Sequence, residues 1–198
     1  MQPYEIIISP ADVYLAPAGT AFPDVDTPPT GTWVLLGTAG KKNYSEDGIT
    51  ITHEQNLEPH RTAGSTGPVK VSRTEESLTI EGVLEDLTLE EYAKVLNGVT
   101  VADVAAASGT PGYRSIPLRQ GIEVAEFACL VRFPSPYGDG FAAQYQIPRV
   151  YQDENPAPAF SKSGAAGLAF RYSALEDPDA TVDEERFGKL VAQDALAT

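Results

Sequence analysis

The sequence predicts a mainly β domain, a sandwich or barrel of short strands flanked by one α-helix, and three observations carry that prediction. Leu78, Ile80 and Leu84 alternate with Thr79, Glu81 and Glu85, the period-2 pattern of a strand half buried against a core. Thr88 to Asn97 has the clearest helical periodicity in the chain. Extended runs punctuated by Pro- and Gly-rich turns occupy most of the remainder, as in all-β chains. No repeat with the spacing of a solenoid or propeller is visible.

In chain order, Tyr4–Ile8 and Asp12–Leu15 are expected strands separated by Ser9-Pro10, and Ala16 to Thr20 supplies turn residues. Pro23 to Gly31, PDVDTPPTG, is too rich in Pro, Asp and Thr for an element and is expected to be a surface loop before the run Trp33–Leu36. Gly48–Thr52 alternates with Ile49 and Ile51 inward. The 15 residues from Glu54 to Pro68, EQNLEPHRTAGSTGP, show no periodicity and are expected to be a long loop. In a compact domain a loop of that length is functional or disordered. The extended run Val69–Arg73 follows, then the strand of Leu78 to Leu84, in which Gly82 marks a bulge or a close backbone approach.

The helix is expected over residues 88–97. Thr88 and Glu91 form a capping box, hydroxyl and carboxylate each satisfying a backbone N–H. Leu89, Tyr92, Ala93 and Leu96 make the apolar stripe, with Glu90, Glu91 and Lys94 turned away from it. Leu87 and Tyr92 are placed for a hydrophobic staple, and Asn97-Gly98 ends the helix because both residues tolerate the left-handed conformation of a C-terminal cap.

Val99 to Tyr113, rich in Ala, Gly and Thr, predicts no element. Ile122–Phe133 and Phe141–Tyr151 are expected to pair antiparallel around Pro134 to Gly140. Gly167–Leu175 sets Leu168, Phe170 and Tyr172 on one strand face. The acidic stretch from Glu176 to Phe187 leads either to a mobile tail or to a short last strand at Leu190-Val191. Length allows a single domain over 1–198, with 177–198 as a C-terminal extension.

Composition narrows the function. A formal net charge of -14 opposes binding to phosphate backbones, which needs Lys and Arg to displace counterions. The one cysteine, Cys129, lies in an apolar run, so neither a disulfide framework nor a thiolate metal site is expected within one chain. Met1-Gln-Pro-Tyr-Glu has no basic region and no long apolar run follows it, so neither a signal peptide nor a transmembrane helix is expected.

No catalytic constellation emerges. Gly37 to Lys42 lacks the spacing and hydroxyl residue of a phosphate-binding loop, and Gly64-Ser65-Thr66-Gly67 lacks the glycine spacing of a nucleophile elbow. His53 and His60 have no companions to complete a zinc site. Asp177, Asp179, Asp183 and Glu184 lack the sharp-turn glycine of a calcium loop. The neighbouring pairs Glu75-Glu76 and Glu90-Glu91 point in different directions on a strand or a helix, so they need not act together as acid and base. No enzyme activity, metal or cofactor is therefore expected.

The order of motifs resembles the major tail tube proteins of long-tailed, non-contractile bacteriophages. The resemblance rests on VYLAPAGTAFP at 13–23, Trp33 to Gly37, YSEDGITI at 44–51, the polar loop, RTEESLTIEGVLEDLTLEEYAKVLN and YQIPRVY at 145–151, covering Asp12 to about Asp177. It implies a β-sandwich with a flanking helix whose copies close into hexameric rings that stack into a hollow tube, a virion structure assembled in the bacterial cytoplasm and used for DNA ejection. It implies partners as well: other copies of the chain, the tape measure, tail terminator and distal tail proteins, and DNA passing through the lumen without specific binding. It implies no membrane partner. Members often carry an additional immunoglobulin-like C-terminal domain, which this chain is expected to lack.

Ring closure needs a heterologous contact, and stacking needs a second contact along the axis. Strand edges offer such contacts by pairing across subunits, and an acidic lumen would repel phosphates. The candidate subunit-contact residues are Leu57, Pro59, His60, Arg61, Arg73 and Trp33, the last expected as either a core or a subunit-contact anchor, with the loop at 54–68 expected to be disordered in the free subunit and to order on assembly. Leu57 and Pro59 would anchor it, and Arg61 would pair with a neighbour's carboxylate. Two other readings compete. One is a monomeric binding module for a carbohydrate or protein ligand, with Trp33, Tyr137 and Tyr151 as platform. The other is a hydrolase using residues such as Asp177 and Asp179.

Overall fold

Strand pairing dominates the architecture, as the alternating patterns require. A computed structural model describes residues 9–160, 162 and 165–196, and the expected strand Tyr4–Ile8 lies outside them. The strands are β1 (Asp12–Pro17), β2 (Val34–Leu35), β3 (Tyr44–His60), β4 (Lys70–Leu84), β5 (Ala102–Val104), β6 (Tyr113–Ser115), β7 (Glu126–Pro134), β8 (Ala142–Gln152), β9 (Leu168–Ala174) and β10 (Lys189–Ala192). One helix, α1 (Leu89–Val95), follows β4. All pairings are antiparallel, in the order β2-β1-β7-β8-β9-β4-β3, with β10 also on β8 and β5–β6 forming a separate hairpin. The β7–β8 pair and the strand at 168–174 lie where the sequence places them, although β7 begins at Glu126 rather than Ile122.

The long sheet folds over on itself. Val13, Leu15 and Leu36 from its β1–β2 end share one core with Tyr44, Leu78, Ile80 and Leu84 from its β3–β4 end, and Leu168, Phe170 and Tyr172 of β9 complete it. The result is a β-sandwich with one helix. Gly82 is a close approach: a Cβ there would meet Ile49 at 2.8 Å and Phe170 at 2.9 Å. The glycine therefore lets β3 and β9 side chains close over β4.

Strand β7 is apolar on both faces because both are covered. Cys129 and Val131 enter the main core, while Ala128 and Leu130 join Ala16 and Trp33 in a second cluster. That second cluster is roofed by the segment between β1 and β2. The Pro-rich stretch is thus more than a surface loop: Arg132 donates to Thr27 O and Val25 O, each at 2.9 Å, and the Gln144 amide donates to Pro23 O at 2.8 Å.

Helix α1 differs in detail from its expected stripe. Thr88 caps it, accepting from the Glu91 amide at 3.3 Å, and Asn97 and Gly98 both take positive φ beyond its end. The inward face carries Glu91, Ala93 and Val95, with Leu96 just past the end, while Leu89 is 36% exposed. Glu91 was expected to face solvent and close a capping box. Instead its carboxylate accepts from the Gly37 amide at 2.7 Å and pairs with Lys94 at 2.6 Å. A buried carboxylate needs such partners, and the β2–β3 connection supplies one that the helix sequence does not reveal.

Candidate assembly surface

The expected long loop at 54–68 is instead the outer part of a β-hairpin arm. Strand β3 has 17 residues and β4 has 15, and their ladder continues from the core out to His60↔Lys70. The connection between those two residues, 61–69, is irregular, so the expected loop is present over 61–68 and only 54–60 is strand instead. The pairing was hidden from periodicity because Glu, Gln, Asn and Pro fill β3 beyond His53, and both faces there lie in water. What holds this part is main-chain pairing with cross-strand contacts, such as Asn56 to Glu75 at 2.6 Å and Arg73 to Gln55 at 3.1 Å. The outer segment is thus paired within the chain itself, where disorder in the free subunit was expected.

From His53 to His60 on β3 and from Lys70 to Ser77 on β4, every residue is exposed. A register shift between Asn56 and Leu57 leaves Thr74 as the extra residue, and beyond it Leu57 lies opposite Arg73 and Pro59 opposite Val71. Side chains two apart share a face, so Leu57, Pro59, Val69 and Val71 form one apolar row, flanked by Arg61 and Arg73. Leu57, Val69 and Val71 are 52%, 55% and 50% exposed. On β3 this row continues the inward side of Ile49 and Ile51 past the limit of the core.

The edges are open too. Among the described residues β3 pairs only with β4, and β4 pairs with β9 only from Thr79 onward. The arm is thus a two-stranded ribbon with unpaired main chain on both sides, a form that is marginally stable alone and a ready template for further pairing. Its outer end is basic. Between Pro59 and Arg73 stand Arg61, Lys70 and Arg73 with no carboxylate among them, in a chain of net charge -14.

Five of the six candidate contact residues therefore gather on the arm: Leu57, Pro59, His60, Arg61 and Arg73. Trp33 does not join them. It is 8% exposed in the second cluster, 5.2 Å from the Phe22 ring, with its indole N–H donating to Ala21 O at 3.2 Å. Sequence reading missed Val69, Lys70 and Val71 as members, although the alternation VKVSR was their signal.

The platform of Trp33, Tyr137 and Tyr151 is not assembled. Trp33 is internal, Tyr137 lies in the connection between β7 and β8, and Tyr151 stands near the far end of β8, a strand roughly 30 Å long. Among the described residues no group of three or more His, Cys, Asp or Glu could hold a metal ion. No helix among them is long and apolar enough to cross a membrane. No protein-family model matches the sequence, and no curated protein matches it either.

Proposed function

We propose that this chain is a structural subunit that works by self-association, its arm engaging neighbouring copies. Within that class the reading that fits best is a phage tail tube protein, whose stacked hexameric rings form a conduit for DNA. A β-sandwich with one helix agrees with the fold that the motif resemblance implies. The observation that carries the reading is the arm: an exposed apolar row, two open edges and a basic end, with nothing among the described residues to cover them. Such a surface is stabilised by a partner, and a contact between unlike patches propagates into rings or filaments. The acidic remainder would let DNA pass without gripping its phosphates.

The test is assembly itself. Sedimentation and negative-stain microscopy at rising concentration should show rings or tubes with a central channel. Replacing residues 57–74 with a two-residue Asn-Gly turn should leave the core folded by circular dichroism and abolish assembly. A folded shortened variant that builds normal tubes would refute the role of the arm, and a wild-type chain monomeric at every concentration would refute the class.

A further inference from the structure

We propose that the acceptor for the arm's outer end is the groove at the base of the same arm on a second copy, an inference that rests on the self-assembly reading above. The groove, about 510 Å³, lies between β4 at Arg73–Leu78 and the start of β10 at Gly188–Leu190. It exists because the sheet divides there. The edge of β8 carries β10 over Ala143–Gln146 and β9 over Val150–Gln152, so β4 loses its neighbour below Thr79 and diverges from β10. Gly188, at φ +100, lets the chain come down on Gln146 to begin β10. Among the described residues two unpaired strand edges therefore border the groove.

Its chemistry matches the outer end of the arm. Leu78, Tyr145, Ile147, Phe187 and Leu190 line it, an apolar surface suited to Pro59, Val69 and Val71. The charges also correspond. On the groove, Arg73 is paired with Glu76 and Lys189 with Glu185, which leaves Glu54 and Glu184 without a cation among the described residues. On the arm, among the described residues, Arg61 bonds only to Thr66 O and Lys70 makes no ion pair. Two unpaired carboxylates on the acceptor thus face two unpaired cations on the donor.

The partner must be another copy. The ladder from His53 to His60 holds the arm's end roughly 24 Å from its own base, so it cannot fold back into its own groove. The contact joins unlike patches and leaves each copy with one used donor and one free acceptor, so it propagates.

The experiment is a charge exchange in the full-length chain, read by the concentration at half assembly. Arg61→Glu with Lys70→Glu, and separately Glu54→Lys with Glu184→Lys, should each raise that concentration by about tenfold or more, and a chain carrying all four changes should recover it. These positions are exposed, and circular dichroism checks that the fold survives. A second measurement fixes the geometry: mixing Val71→Cys chains with Leu190→Cys chains should give a disulfide-linked dimer that neither gives alone. If the wild type assembles while the groove pair of substitutions has no effect, or while no mixed disulfide forms, this acceptor site is refuted and self-assembly stands. If the wild type never assembles, both fall.

Discussion

Tyr44 and Val13, 31 residues apart, are joined by a hydrogen bond in which the Val13 amide donates to the Tyr44 hydroxyl at 3.2 Å. The same hydroxyl donates to Leu36 O at 2.8 Å. One buried phenol on β3 thereby ties together β1 and the end of β2, at the opposite limit of the sheet order. Tyr44→Phe keeps the ring against Phe170 and leaves a buried amide without its partner, so it should cost about 1–3 kcal/mol. Urea denaturation checks this, and an unchanged midpoint would show that the closure does not depend on the hydroxyl.

The pair Glu91 and Lys94 fastens α1 to the β2 end of the sheet, since Lys94 also donates to Leu35 O at 2.7 Å. Lys94→Met strands a carboxylate that is 4% exposed and should cost about 3–5 kcal/mol. Adding Glu91→Gln removes the charge while keeping an acceptor for the Gly37 amide. The double variant should recover at least half of the loss in a thermal melt.

Gly82→Ala probes the close approach of three strands. The added methyl would press on Ile49, Phe170 and Gly48 O at 2.8, 2.9 and 3.1 Å, and the crowding should cost about 1–3 kcal/mol. Gly82→Ala with Ile49→Val gives back space on one side, and partial rescue in chemical denaturation would confirm the contact.

Alkaline pH should unfold the protein through its buried acids. Burial pushes the Cys129 thiol up to about 12 and holds the Tyr44 and Tyr172 phenols above their ordinary value of 10.0. The folded state keeps protons that the unfolded chain releases. Stability is therefore intact below about pH 9 and declines above it, each group contributing up to about 1.4 kcal/mol per pH unit while its folded form stays protonated. Denaturation midpoints measured from pH 7 to 11 should show this fall, and a flat profile would contradict it. For the same reason Cys129 should resist thiol reagents at pH 8 until the chain is unfolded.

Local chemistry made much of the fold legible in the sequence. Alternation in Leu78 to Leu84 and in Leu168 to Tyr172 marks strands whose apolar side chains are now the core, and Thr88 and Gly98 bracket the helix. These signals are short-range: burial of one face writes a period into the residues, and a cap writes a residue type at a position. Tertiary structure alone decided three other things. Glu91 turned inward because Gly37, 54 residues away, offered an amide to receive it. Trp33, expected as a core or subunit-contact anchor, took the core role because it covers the outer face of β7. The arm became a hairpin because its pairing resides in main-chain hydrogen bonds, which polar side chains lying in water on both faces do not record, so that neither the ladder nor the groove at its base leaves a period to read.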